Sequence, residues 1–363
     1  MEILSDIQHG IATLVLNRPA ALNSLSLAMV HELDATLRGW ACDSKIKAVV
    51  IRGAGEKAFC AGGDVRALYE SFTTGGDLHS QFFPDEYRLD YLIHRYPKPC
   101  VALIDGICMG GGMGIAQAAS FRIVTDRTRI AMPEVGIGLI PDVGASFFLS
   151  RLPGALGFYL ALTGNQIRAA DAIYVGLADL YLPVESVAHI EEALCKVTWS
   201  GKPLADVKHS LHLLGSTQLQ EAPLSAVRTA IDRNLMHEDA QLILEALGNE
   251  TDSQYTPWAQ QTLATISQRS PITVAVALRQ LQRGRAMTLA QCLRMELGLV
   301  QHCFERGDFI EGVRALIIEK DNTPHWRQAS LEAVLPGDVE AFFADPWADQ
   351  VHPLAGLECG SPA

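Results

Sequence analysis

Three consecutive glycines, Gly110-Gly111-Gly112, limit what this chain can fold into more than any other feature. A short buried-strand pattern, Cys100 to Ile104, leads toward them and breaks at Asp105-Gly106. A run of small residues with helical spacing, Ile115 to Ala119, follows. Strand, glycine turn and helix in that order leave backbone N–H groups free of side-chain cover. The first amides of a helix have no partner inside it, and the helix dipole adds positive potential there. Such a place suits an oxygen that becomes negative during a reaction. Two carboxylates follow on a Gly/Pro-punctuated loop: Glu134 after Met132-Pro133, and Asp142 after Ile140-Pro141. Apolar neighbours desolvate such carboxyls and raise their pKa toward the range useful for proton transfer.

A second glycine turn, Gly62-Gly63, ends the apolar run that starts at Ala58. Two amides from separate turns can cradle one oxyanion. The same glycines could equally serve close packing between strand and helix, and two carboxylates are common on any surface. Taken by themselves, the patterns leave both readings open.

Read in order, the first half alternates strands and helices. Ile11 to Leu16 is a strand, and Ser26 caps a helix whose inward face is Leu27, Val30, Leu33, Leu37 and Trp40. Ala48 to Ile51 is a buried strand, Asp64 opens a helix, and Thr73 to Phe83 has no readable conformation before a helical patch from Glu86 to Ile93. A strand at Arg122 to Thr125 follows the triple glycine. This is an α/β pattern, expected over residues 1–183. From 184 to 350 helical spacing takes over: Ala188–Lys196, Leu204–Leu214, Leu224–Leu235, Ala240–Leu247, three helices opened by Pro257, Pro271 and Thr288, and Ile310–Ile318. Residues 351–363, rich in Pro and Gly, are expected to be loosely ordered.

The chain has 363 residues, 48% of them hydrophobic and 19% charged, as in globular proteins. Its formal charge of −12 makes nucleic acid a poor partner. The eight cysteines contain no CxxC pair, and Cys60, Cys100 and Cys108 lie among apolar or small residues as buried thiols do. We read a reducing compartment, no structural zinc and no membrane span, hence the cytoplasm, since the N-terminus carries early acids and lacks a basic region followed by a long apolar run.

Several chemistries lack their motifs. Ile115 and Gln117 break GxGxxG, and neither GxxxxGK[ST], GxSxG nor HExxH occurs. What remains, AFCAGGDV (58–65), IDGICMGGGMGIA (104–116) and AMPEVGIGLIPDVGA (131–145), resembles the crotonase superfamily of enoyl-CoA hydratases and isomerases. The resemblance runs from about Ile11 to about Trp326 and is strongest to its branch of 3-hydroxyisobutyryl-CoA hydrolases, thioesterases of valine breakdown. DFIEGVRALIIEKDNTPHW, from Asp308, carries that preference.

The resemblance implies a ββα superhelix core with a C-terminal helical extension. It implies an oxyanion hole from the amides of Gly63 and Gly111, with Glu134 as the shared catalytic carboxylate. A hydratase has a second glutamate just after its triple glycine, where this chain has Gly114. Asp142 stands where the hydrolases have an aspartate and hydratases commonly have glycine, and Glu86 matches a further pocket acid. The implied reaction is therefore hydrolysis of a short hydroxyacyl-CoA, with hydration or isomerisation of an enoyl-CoA, or silent acyl-CoA binding, as alternatives. CoA is part of the substrate, and no metal or redox cofactor is implied. Lys57 and Arg66, flanking the first glycine turn, are candidates for the CoA phosphates, as well as being ordinary solvated charges. A trimer, a hexamer or a monomer is expected.

Overall fold

A computed structural model describes residues 1–215 and 219–358. Six strands form the main sheet, in the order β1 (Ile3–Gln8), β2 (Ile11–Leu16), β3 (Ala48–Gly53), β5 (Cys100–Ile104), β7 (Phe121–Val124) and β9 (Leu180–Tyr181). β1 runs antiparallel to β2, and every other pairing in the sheet is parallel. β4 (Ala58–Cys60), β6 (Ile107–Met109) and β8 (Arg129–Ala131) form a second, smaller parallel sheet. Each unit sends one strand to each sheet before its helix, so the turns after β4 and β6 lie side by side.

Both faces of the inner strands β2, β3 and β5 are covered, which is why they read as apolar runs. Along β3, Val49 and Ile51 join the main core while Ala48 and Val50 point the other way, toward Ile190, Leu194, Val207 and Leu211. Helix α1 (Leu27–Cys42) starts as the sequence indicates, with Ser26 accepting from the Met29 amide at 3.2 Å. Its buried face is Met29, Val30, Leu33 and Leu37, with Leu27 and Trp40 only partly covered. Helix α2 (Val65–Thr73) is capped by Asp64, and α4 (Gly111–Ala118) follows the triple glycine. Cys60, Cys100 and Cys108 are buried.

One strand is new and two expectations change. β1 carries no readable pattern because only Ile3 is buried and the strand lies at the sheet edge. The stretch 73–83 is ordered: after a turn at Gly75, α3 (Leu78–His94) begins eight residues before Glu86 and carries Pro84 within it. Proline costs a helix one hydrogen bond, so its place inside α3 hides the helix start from the sequence. Within 351–358, Leu354 is buried and the Pro353 carbonyl accepts from Arg88 at 2.7 Å, so this part of the tail is docked. The remainder, 359–363, lies outside the described residues.

The other helices are α5 (Ala145–Phe148), α6 (Leu156–Thr163), α7 (Ala169–Val175), α8 (Ile190–Cys195), α9 (Pro203–His212), α10 (Pro223–Leu235), α11 (Ala240–Gly248), α12 (Thr256–Ser267), α13 (Pro271–Gly284), α14 (Leu289–Glu305), α15 (Phe309–Val313) and α16 (Pro336–Ala341). α15 continues as a wider helical turn, Arg314–Ile318. α8 and α9 cover the outer face of the main sheet. The helices from α10 onward share the main core with the first half, through residues such as Ile231, Leu281, Leu293 and Phe309. α13, α14 and α15 pack around the loop that carries Glu134 and Asp142.

Candidate active site

The two glycine turns meet. A Cβ on Gly62, whose φ is +102°, would lie 3.6 Å from the Gly111 amide nitrogen. Leu25 bridges the first turn, donating to the Gly62 carbonyl at 2.8 Å and accepting from Asp64 at 3.0 Å, which leaves the Gly63 amide outside the ladder. Gly111 is the first residue of α4, where a helix has no acceptor of its own. Gly63 and Gly111 both line a cavity of about 280 Å³, together with Glu86, Glu134 and Asp142.

Glycine does specific work here. A Cβ on Gly111 would lie 2.1 Å from Glu86 Oε1, and one on Gly110 would lie 3.0 Å from Glu134 Oε1. A Cβ on Gly114 would lie 2.6 Å from Asp90 Oδ2. Three glycines of one turn thus make room for three carboxyls, two of them from the same face of α3.

Each acid is buried. Glu134 opens the short turn Glu134–Ile137, and its Oε2 has no protein partner. Burial, then the charge of Asp142, pushes it well above the usual carboxylate range. Asp142 accepts a 2.6 Å hydrogen bond from the Tyr87 hydroxyl. Burial raises it to about 6 against that bond, which favours the ionised form. Glu86 is raised by burial first and then by Asp90, Asp142 and Glu134. Asp90, with neither oxygen partnered, is raised by burial, Asp142 and Glu296. So many acids in one dry place oppose one another's ionisation, and each is shifted toward its protonated form.

Of the residues marked in the sequence, Gly63, Gly111, Glu86, Glu134 and Asp142 are brought together. Lys57 and Arg66 do not line the cavity. Lys57 is exposed, its carbonyl accepting from the Ile107 amide at 3.0 Å. Arg66 is exposed beside the rim, donating at 2.9 Å to the carbonyl of Ile317, which does line the cavity. The sequence reading passed over Tyr87, Asp90, Arg269 and Glu296. Arg269 lines the cavity, with its guanidinium held at 3.0 and 2.7 Å by the Thr163 carbonyl. Asp90 could have been found from its place four residues after Glu86 on one helix face.

A model of the enoyl-CoA hydratase/isomerase family matches residues 11–343. The chain belongs to the enoyl-CoA hydratase/isomerase family. The match ends beyond Trp326, so the family pattern takes in nearly all of the helical extension. Among relatives, the mitochondrial 3-hydroxyisobutyryl-CoA hydrolase of Rattus norvegicus is 39% identical over 348 residues, covering 94% of this chain and 88% of the relative. That of Homo sapiens is 36% identical with the same coverage. A solved structure described as a carnitinyl-CoA dehydratase from Mycobacterium thermoresistibile superposes with a TM-score of 0.86 at 39% identity, covering 95% of this chain and 97% of that one. An enoyl-CoA hydratase from Rhodobacter sphaeroides 2.4.1 gives 0.85 at 35% identity, with 98% and 99% covered. Among the described residues no helix is long and apolar enough to cross a membrane.

Proposed function

We propose that this family member hydrolyses a short hydroxyacyl-CoA thioester, 3-hydroxyisobutyryl-CoA, to 3-hydroxyisobutyrate and CoA, the thioesterase step of valine breakdown. One observation carries the reading. At Gly114, where a hydratase supplies its second acid, the space is filled by Asp90 and Val143, while Asp142 joins Glu134 on the cavity instead. The hydrolase names of the relatives point the same way.

In this reading the thioester carbonyl sits against the Gly63 and Gly111 amides. These strengthen their hold as the oxygen gains charge, and each such donor is worth about 3–4 kcal/mol in the transition state. Glu134 acts on the carbonyl carbon in one of two ways. As general base it takes a proton from water, the C–O bond forms, the C–S bond breaks and the thiolate recovers the proton. As nucleophile it forms a mixed anhydride while the C–S bond breaks and the CoA thiolate leaves; water then cleaves the anhydride, freeing the acid and the glutamate, and the water's proton goes to the thiolate. Asp142 orients the substrate hydroxyl or the water, and Glu86 completes the polar wall. Arg66 at the rim, and Lys57 just before β4, are assigned to the CoA phosphates. A cytoplasmic location remains a proposal, since the relatives above are named as mitochondrial, and cell fractionation separates the two.

The dehydratase and hydratase descriptions of the superposed structures support a second reading, water addition to an enoyl-CoA using Glu134 with another acid. Thiol release from 3-hydroxyisobutyryl-CoA is expected, with hydration of crotonyl-CoA slow. The reverse would replace the hydrolase by a hydratase. Glu134→Gln should remove most turnover and leave ester binding measurable, and near-normal activity would remove Glu134 from the mechanism. Oxygen-18 appearing in that glutamate after a single turnover in labelled water would identify the anhydride route.

A further inference from the structure

Asp142 stands on a turn that the backbone does not adopt freely. Val143, the next residue, has φ of +53°, and Gly144 follows at +88°. A β-branched side chain in the left-handed region is a true outlier, and such strain persists only where the surroundings over-determine it.

The surroundings come from the far end of the chain. Glu296 of α14 is fully buried, and its two carboxylate oxygens accept the amides of Gly144 and Ser146, each at 2.7 Å. Gln280 of α13, equally buried, donates to the Pro141 carbonyl and, at 2.8 Å, to the Ser146 hydroxyl. The bonds fall on both sides of Asp142–Val143. On the opposite face Val143 Cβ lies 2.7 Å from where a Cβ of Gly114 would be, so the turn has no room to slide toward α4. Neither Glu296 nor Gln280 lines the cavity.

We infer that Glu296 and Gln280 are positioning residues for the reaction: together they lock the Pro141–Ser146 turn in its strained form so that the Asp142 carboxyl faces the cavity. The helical extension would then supply precision to the site without touching the substrate. The inference rests on the hydrolase reading for its activity readout only.

The test is a double-mutant cycle on the full chain, measured by thiol release from 3-hydroxyisobutyryl-CoA. Glu296→Gln keeps the shape but turns an NH₂ group toward one of the two amides. It should lower kcat by about a hundredfold, the scale of a misaimed catalytic group, with KM nearly unchanged. In the Asp142→Asn background the same change should lower the remaining rate by less than about twofold, since no carboxylate is left to aim. An equal fold-loss in both backgrounds would mean that Glu296 only stabilises the fold, and full activity of Glu296→Gln would overturn the inference outright. If Glu296→Gln does not fold, Gln280→Met, which removes only the bonds to Pro141 and Ser146, is read by the same cycle. If wild-type chain releases no thiol, or Asp142→Asn is too slow to measure, a crystal structure of the variant decides. Val143 still at positive φ with the Tyr87–Asp142 bond intact would sink the clamp, whatever becomes of the hydrolase reading.

Discussion

Placing a single methyl group on Gly114 tests the packing on which the hydrolase assignment depends. Alanine in a helix interior is ordinarily better than glycine by about 1 kcal/mol. Here the added Cβ would sit 2.6 and 2.9 Å from the two oxygens of Asp90 and 2.7 Å from Val143 Cβ. Relaxed contacts between heavy atoms of this kind lie at about 3.5–4.0 Å. Val143 is held in the clamped turn and cannot yield cheaply, while the unpartnered Asp90 carboxyl can turn aside only within its buried surroundings. Overpacking of this sort costs about 1–3 kcal/mol, and set against the helix gain it cancels the usual benefit of alanine and leaves Gly114→Ala less stable by up to roughly 2 kcal/mol. The urea midpoint should fall accordingly with an unchanged m-value. Asp90→Ala removes two of the three short contacts, so combining the variants should return at least about 0.5 kcal/mol as coupling. A Gly114→Ala variant more stable than wild type by the ordinary helix gain, or strict additivity in the cycle, would refute the steric argument. A glutamate at 114 needs the same Cβ and more, so Gly114→Glu should not gain crotonyl-CoA hydration.

Two further substitutions probe charge. Removing the hydroxyl in Tyr87→Phe takes away a 2.6 Å bond that favours ionised Asp142. A hydrogen bond to a charged group is worth about 1.5–3 kcal/mol, or roughly 1–2 pKa units. Asp142, now raised to about 6, should therefore titrate higher. If its carboxylate is the active form, the acid limb of kcat/KM moves to higher pH, and a limb that stays put would detach Asp142 from the rate. Arg66→Ala should raise KM for the CoA ester about fivefold at unchanged kcat, as loss of roughly 1 kcal/mol from one exposed charged contact would. An unchanged KM would leave Arg66 as a cap on the Ile317 carbonyl and nothing more.

The site's backbone and its two loop acids were legible because glycine and proline punctuate the chain where they stand. Gly62-Gly63 and Gly110-Gly112 each end a strand and precede a helix, and the structure packs them against one another. Glu86 was reached only through family resemblance, since Pro84 conceals the helix that carries it. Lys57 and Arg66 were chosen for nearness in sequence to a glycine turn, but Lys57 lies in the exposed bend before β4 and Arg66 on an exposed face of α2, and neither lines the cavity. Asp90 and Glu296 were missed for a different reason: their roles are set by partners on other elements. Glu296 nonetheless left a trace, an acid on the inward stripe of α14 between Leu293, Leu297 and Val300, all buried. A charge on such a stripe is costly unless it is paired or hydrogen-bonded. The groups that satisfy it are two backbone amides, one of them 150 residues earlier, and amides leave no mark in a sequence. Buried acids on apolar helix faces are thus where a chain of this family announces that a distant loop is being held, even when it does not say which one.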